Sequence, residues 1–197
     1  MDILATLKDE RLSIAGFLEG LDDHEWGAAS LCDGWTVRDV AAHLTTSTRA
    51  TLGGTIKGII RARGSWDRMN GDEARRLAAR YTPAELIAQI RETAGSDKRA
   101  PGAGPMDPLA DFLVHGQDIA RPLGRTRTMP AEAAVAALEY VRKSAFYGAR
   151  KRLRDTRLIA TDADWQAGEG PEEIRGSVAD LLLLATGRTA AVPHLAR

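Results

Sequence analysis

Apolar residues recur along the first 21 positions close to the helical period. Ile3, Leu4, Leu7, Leu12, Ile14, Ala15, Leu18 and Leu21 predict a helix over residues 3–21 that Asp22 and Asp23 break. Leu31-Cys32-Asp33-Gly34-Trp35 reads as a loop. Thr36, with Asp39 three places on, is close to a capping box and starts a second helix, with aspartate where glutamate is usual. Val37, Val40, Ala41 and Leu44, then Leu52, Ile56 and Ile59, mark its buried side. Residues 61–70 are polar and predict a connection. A third helix is expected over residues 83–94, with Thr82 as N-cap and Pro83 in the first helical position. Glycines and prolines make residues 97–105 a loop. A fourth helix is expected from Pro108 to Leu123–Gly124, with Arg121–Pro122 shortening or kinking its end.

Beyond the fourth helix the pattern changes. A fifth helix is expected over residues 130–151, then strand character at Leu158-Ile159-Ala160-Thr161. A hairpin arm and turn over residues 165–170 come next, with a return around Ile174 and a last apolar helix over residues 178–185 closed by Gly187. The expected fold is mainly α: a four-helix bundle over residues 1–125, and a small C-terminal α/β region over residues 126–197 packed on it.

Composition narrows the function classes. The 197 residues carry 27 Lys plus Arg against 27 Asp plus Glu, so no global field draws the chain to nucleic acid or an anionic membrane. Arg61, Arg63, Arg68, Arg75 and Arg76 are interleaved with acids and poor in aromatic neighbours, which does not favour nucleic-acid binding. The first ten residues lack the apolar stretch of a signal peptide, and the run Leu181-Leu182-Leu183-Leu184-Ala185 is far short of the roughly 20 residues that span a bilayer. One cysteine fits a reducing compartment, so a cytoplasmic location is expected. Alanine- and arginine-rich usage is in keeping with a high-GC bacterium. No Cys-x-x-Cys pair, Walker loop, GxSxG elbow or dinucleotide fingerprint is present.

The fourth helix is apolar almost all round, with Leu109, Phe112, Leu113, Val114 and Ile119 on different sides, so burial is expected. Yet Asp111, His115 and Asp118 share one arc of it. Asp111 and His115, four apart, project together and present a carboxylate oxygen and an imidazole nitrogen to one ion. The competing readings are a plain Asp–His hydrogen bond and an arc facing solvent. His43, on the flank of the second helix's apolar stripe, either completes a two-histidine, one-carboxylate set or is a satisfied core histidine. Asp118 either orients a ligating imidazole from behind or pairs with an arginine. His24 and His194 read as solvated groups, and Cys32 as a small buried apolar residue rather than a nucleophile.

These residues carry a family resemblance. The segment Leu31-Cys32-Asp33-Gly34-Trp35-Thr36-Val37-Arg38-Asp39-Val40-Ala41-Ala42-His43-Leu44 resembles the GWTVRDVxAHL signature of the mycothiol-dependent maleylpyruvate isomerase family, within the DinB-like (YfiT-like) superfamily. Asp111-Phe112-Leu113-Val114-His115-Gly116-Gln117-Asp118-Ile119 resembles its second signature, usually Glu-x-x-x-His-Gly-x-Asp-Ile. Residues 160–165, and on to Gly187–Arg188, are similar to the family's C-terminal region. The resemblance implies a DinB-like bundle holding a divalent metal, commonly zinc, on His43, Asp111 and His115. Aspartate at 111 departs from the usual glutamate; one methylene shorter, it is expected to strain the reach of the carboxylate or lower metal occupancy. The resemblance also implies mycothiol, the actinobacterial thiol, as cosubstrate. The function expected is then a metal-dependent thiol S-transferase or thiol-assisted isomerase acting on a small electrophile. The shortened ligand keeps two other readings open: a non-catalytic metal or small-ligand binding module, and a structural bundle with a vestigial site. Arg38 and Arg49 are candidates to meet an anionic ligand, with surface salt bridges as the alternative.

Overall fold

The computed structural model describes residues 1–193 and Leu195; His194 lies outside the described residues. The chain is mainly helical and divides into two compact units. One is Asp2–Thr126, and the other is Arg127–Arg197 together with Met1.

The first unit is built on four helices: α1 (Ile3–Glu19), α3 (Val37–Leu44), α6 (Pro83–Glu92) and α7 (Asp107–Ala120). Contacts join α1 to α6 and α7, and α3 to the same two, so the four close into a ring around one core. Leu7, Ile14 and Leu18 enter it from α1, Val40 and Leu44 from α3, Leu86 and Ile90 from α6, and Leu109, Phe112, Leu113 and Ile119 from α7. At the end of α6, the buried Arg11 of α1 donates from Nη1 to the carbonyls of Thr93 (3.0 Å), Ala94 (3.2 Å) and Ser96 (2.8 Å). Its guanidinium also lies 5.5 Å from the centre of the Phe112 ring. A fixed cation at a helix C-terminus meets carbonyls that have no partner inside the helix. One side chain thus ties three of the four bundle helices together.

Three local expectations need correcting. Asp22 does not simply break α1: its side chain accepts from Glu25 N–H, Glu25 answers in kind, and the box starts a short helix α2 (Asp23–Gly27). The second helix does not run to Ile59. It ends at Leu44 and passes into a 3-10 turn (Thr45–Thr48), and a separate α4 (Leu52–Arg61) follows. No residue of α4 is buried, and Leu52, Ile56 and Ile60 stand exposed. The polar stretch expected to be a connection instead opens α5 (Trp66–Arg80), capped by Ser65. Its buried residues are Gly71, Ala74 and Ala78, small side chains at helical spacing that let α5 lie close on α3. A face made of such residues carries little hydropathy, which is why the pattern of large apolar positions does not show it.

The second unit holds α8 (Ala131–Lys143), a short α9 (Ala149–Arg152), a three-stranded sheet and α10 (Val178–Ala185). The expected fifth helix is broken between α8 and α9, where Gly148 takes φ 68°. Strands β1 (Thr156–Ala160), β2 (Gln166–Ala167) and β3 (Glu172–Gly176) lie in the order β2-β1-β3. β2 pairs antiparallel to β1, but β3 runs parallel to β1 on its other side, so it does not return along β2 as expected. The apolar α10 lies on α8 and on β1 and β3. Among the described residues no helix is long and apolar enough to cross a membrane.

Replacing Arg11 by methionine strips the α6 terminus of its buried donor, with an expected loss of about 2–3 kcal/mol of unfolding free energy. Removing the exposed Thr82 cap, whose box with Glu85 is complete, by Thr82→Ala is expected to cost about 1 kcal/mol. Urea unfolding of the two variants checks the order; equal losses would show that Arg11 is not the tie described.

Candidate metal centre

Thr36 starts α3 through a complete capping box: its hydroxyl accepts from Asp39 N–H while the Asp39 carboxylate accepts from Thr36 N–H at 2.8 Å. Fixing the first turn sets the rotation of the helix, and His43 then faces α7, α3's neighbour in the ring. On α7, every residue from Pro108 to Ala120 is buried except Asp111. Asp111 and His115 stand one turn apart, and Asp118 three residues beyond His115.

The structure brings His43, Asp111 and His115 together. The Nε2 of His115 is 3.2 Å from Asp111 Oδ1, and the Nε2 of His43 is 3.6 Å from Asp111 Oδ2. The two imidazoles meet edge to face, 5.0 Å between centres and 77° between planes. Three ligand atoms around one tetrahedral zinc, each about 2.0–2.1 Å from it, lie roughly 3.3 Å apart. The donor set and its spacings therefore fit a divalent cation. Aspartate reaches both imidazoles, one oxygen to each, so the missing methylene does not keep its carboxylate from the cluster. Asp111 is also the open edge, a third of its side chain exposed against 14% for His43 and 11% for His115.

Behind the cluster, the other nitrogen of His115, Nδ1, lies 2.8 Å from Oδ2 of Asp118. None of the Asp118 side chain is exposed. A buried carboxylate takes the proton of an adjacent imidazole nitrogen as donor, so Nε2, facing His43 and Asp111, is the nitrogen that offers a lone pair once the ring is neutral.

The electrostatics of the metal-free cluster follow from these distances. Burial opposes charge on His115, but the Asp111 carboxylate outweighs it, helped by hydrogen bonds with Asp111, Asp118 and Cys32, and holds the imidazole well above its ordinary range. Burial likewise opposes charge on Asp111. The facing charge of His115, then of His43, with hydrogen bonds from both, overrides it and keeps the carboxyl far below the usual carboxylate range.

Two residues of the site are not evident from spacing. Trp35 lays its indole nearly parallel to His115, 6.5 Å between centres and 10° between planes, and meets His43 at 5.4 Å and 70°. Cys32, expected to be a small apolar residue, instead places its sulfur 3.2 Å from Asp118 Oδ2 and 3.7 Å from His115 Nδ1. Their one sequence signal is position, in the loop that immediately precedes the Thr36 cap. The other candidates stay away from the cluster. His24 is exposed on α2. Arg38 donates to the Tyr81 carbonyl at 2.6 Å and Arg49 to Gln89 Oε1 at 2.5 Å, so both tie elements of the bundle together.

Comparison with known proteins supplies the context. Two solved structures share the fold over 95% of this chain and 88% of theirs. One is a histidine-to-alanine mutant of the mycothiol-dependent maleylpyruvate isomerase, with a TM-score of 0.65 at 14% identity. The other is the mycothiol-dependent maleylpyruvate isomerase itself, with a TM-score of 0.57 at 16% identity. No curated protein matches the chain. The family described as the mycothiol maleylpyruvate isomerase N-terminal domain matches residues 7–135. That span begins in α1, takes in both helices that carry the clustered side chains, and reaches into α8: the chain belongs to the mycothiol maleylpyruvate isomerase N-terminal domain family.

Proposed function

We propose that this protein is a divalent-metal-dependent enzyme that uses a low-molecular-weight thiol, mycothiol, against a small electrophilic substrate, as an S-transferase or a thiol-assisted isomerase. His43, Asp111 and His115 are its metal ligands and zinc the first candidate ion. The observation that carries this reading is the convergence of two imidazole Nε2 atoms on the two oxygens of one carboxylate, at 3.2 Å and 3.6 Å. Family membership supports thiol-dependent isomerase chemistry in general terms.

A free thiol has a pKa of about 8.5 and is mostly protonated at neutral pH. A divalent ion held here supplies the positive charge that favours the thiolate, which is the nucleophile. The residues of the chain do the rest. His43 and His115 offer Nε2, and Asp111 offers an oxygen. Three protein ligands leave room in a four-coordinate shell. Asp118 accepts a hydrogen bond from Nδ1 of His115, so that Nε2 is the nitrogen left to an ion that displaces its proton. Trp35 packs its indole beside both imidazoles. The partly exposed edge at Asp111 is the side from which thiol and electrophile approach. No nucleophile from the protein is required.

Elemental mass spectrometry of untagged protein is expected to find about one zinc per chain, with affinity falling roughly a hundredfold or more in His43→Ala. The loaded protein is expected to bind mycothiol and to turn over an activated electrophile. Stoichiometric metal with neither thiol binding nor turnover would move the protein to the binding-module reading, and no metal in either protein would leave a structural bundle.

The proton on His115 gives a second test. Its raised pKa means that the pairing stabilises the metal-free fold fully below the imidazole's ordinary value of about 6.5, and is lost as pH rises through the higher folded value. Asp111, held low, contributes above its ordinary value and loses that contribution only in strong acid. Metal-free protein is therefore expected to lose stability as pH rises above neutrality, with a slope that His115→Gln flattens. Zinc must displace that proton, so at pH 7 calorimetry is expected to show release of about one proton, as an enthalpy that depends on the buffer. A buffer-independent enthalpy would contradict the assigned protonation.

A further inference from the structure

Asp118 is shut off from solvent, so its carboxylate depends on protein donors. Two of them converge on a single oxygen. His115 Nδ1 approaches Oδ2 at 2.8 Å and the Cys32 thiol approaches the same atom at 3.2 Å. The loop that carries Cys32 is pinned to α7 at this residue too, because Leu31 N–H donates to the Asp118 carbonyl at 3.0 Å. It is also locked internally. Cys32 N–H donates to Ser30 Oγ at 3.1 Å, Trp35 N–H donates to the Cys32 carbonyl at 3.0 Å, and Gly34 at φ 72° allows the reversal. The sulfur is therefore held from its own loop, and the carboxylate it touches is held from α7.

We infer that Cys32 is a positioning residue for the metal centre. Its thiol holds the Asp118 carboxylate in the orientation that takes the Nδ1 proton of His115, and so keeps Nε2 of His115 directed between His43 and Asp111. The terminal torsion of an aspartate is broad. With the imidazole as donor, carboxylate and ring can swing together. A second donor arriving from a different element removes that freedom. A thiol suits the place: it is a weak donor and weaker acceptor, so it donates to Asp118 with little claim on the imidazole proton. Its consequence for metal binding rests on the ligand assignment proposed above, but the hydrogen bond is a property of the metal-free protein. No covalent or redox step is involved.

The test uses the full chain with Cys32→Ala, which removes the donor, Cys32→Ser, which keeps one, and Asp118→Asn as the reference lesion. In metal-free protein labelled with nitrogen-15 histidine, the His115 Nδ1 proton is expected as a downfield, exchange-protected resonance in the parent and in Cys32→Ser. Its exchange is expected to be roughly fivefold faster in Cys32→Ala, the scale of one lost hydrogen bond. Zinc affinity, read by competition with a chromophoric chelator, is expected to fall by roughly tenfold in Cys32→Ala and to stay within about threefold in Cys32→Ser. In the Asp118→Asn background, Cys32→Ala is expected to have no further effect, since the group it positions is gone. Should Cys32→Ala not fold, Cys32→Val fills the space without a donor and carries the same expectation. Exchange and affinity unchanged in the donor-free variant would overturn the role, as would equal damage in the alanine and serine variants, which marks packing and not donation. A parent protein that binds no zinc would sink the metal assignment alone, and the Nδ1 resonance would still decide the part played by Cys32.

Discussion

A carboxylate with no exposure to water, Asp118, is the constraint around which this bundle is arranged. An ionised group in that position costs several kcal/mol unless donors surround it. Its donors include an imidazole on its own helix and a thiol from a loop 86 residues earlier. Meeting that need directs Nδ1 of His115 onto Asp118 and anchors the Cys32–Trp35 loop on α7. The same loop ends in the cap that starts α3, and α3 carries His43. One buried aspartate thus connects the two helices of the candidate centre through a chain of hydrogen bonds.

The rest of the bundle keeps this arrangement in register. Arg11 clamps the end of α6 from α1 and lies over Phe112 on α7, one residue after Asp111. On the other flank, α5 lies close on α3 through Gly71, Ala74 and Ala78. A Cβ built on Gly71 would come within 3.4 Å of the Trp35 indole nitrogen, so the closeness of α5 bears on the ring that covers both imidazoles. Between Pro108 and Ala120 of α7, Asp111 is the one residue that is not buried. The centre is therefore enclosed on the side that orients its imidazoles and open on the side where a ligand would enter.

Elements with strong local signals were legible in the chain. The Thr36 and Thr82 caps, Pro83 at a helix start, the all-round apolar α7 and the closing helix α10 follow from spacing and cap chemistry, which act within a few residues. The elements that were not legible share a cause. α5 is held by small residues against α3, a face that owes its burial to a neighbour and not to its own hydropathy. The apolar stripe of α4, read as buried, stands exposed because nothing in its own sequence says whether a partner covers it. The placement of β3 differs from the expected hairpin return for a similar reason: a short strand carries no local mark of which edge of β1 it joins, or in which direction.

By itself the sequence determined that His43, Asp111, His115 and Asp118 lie on helices and on which arcs of them, because helical periodicity is a local rule. It left open whether the two histidines ever meet, since His43 and Asp111 are 68 positions apart and only the closing of the bundle ring brings Nε2 to within 3.6 Å of the carboxylate. It also left the second face of His115 undetermined. Cys32 reads as apolar on its own, and becomes a donor only because the loop, pinned at Leu31, sets its sulfur against a carboxylate that water cannot reach.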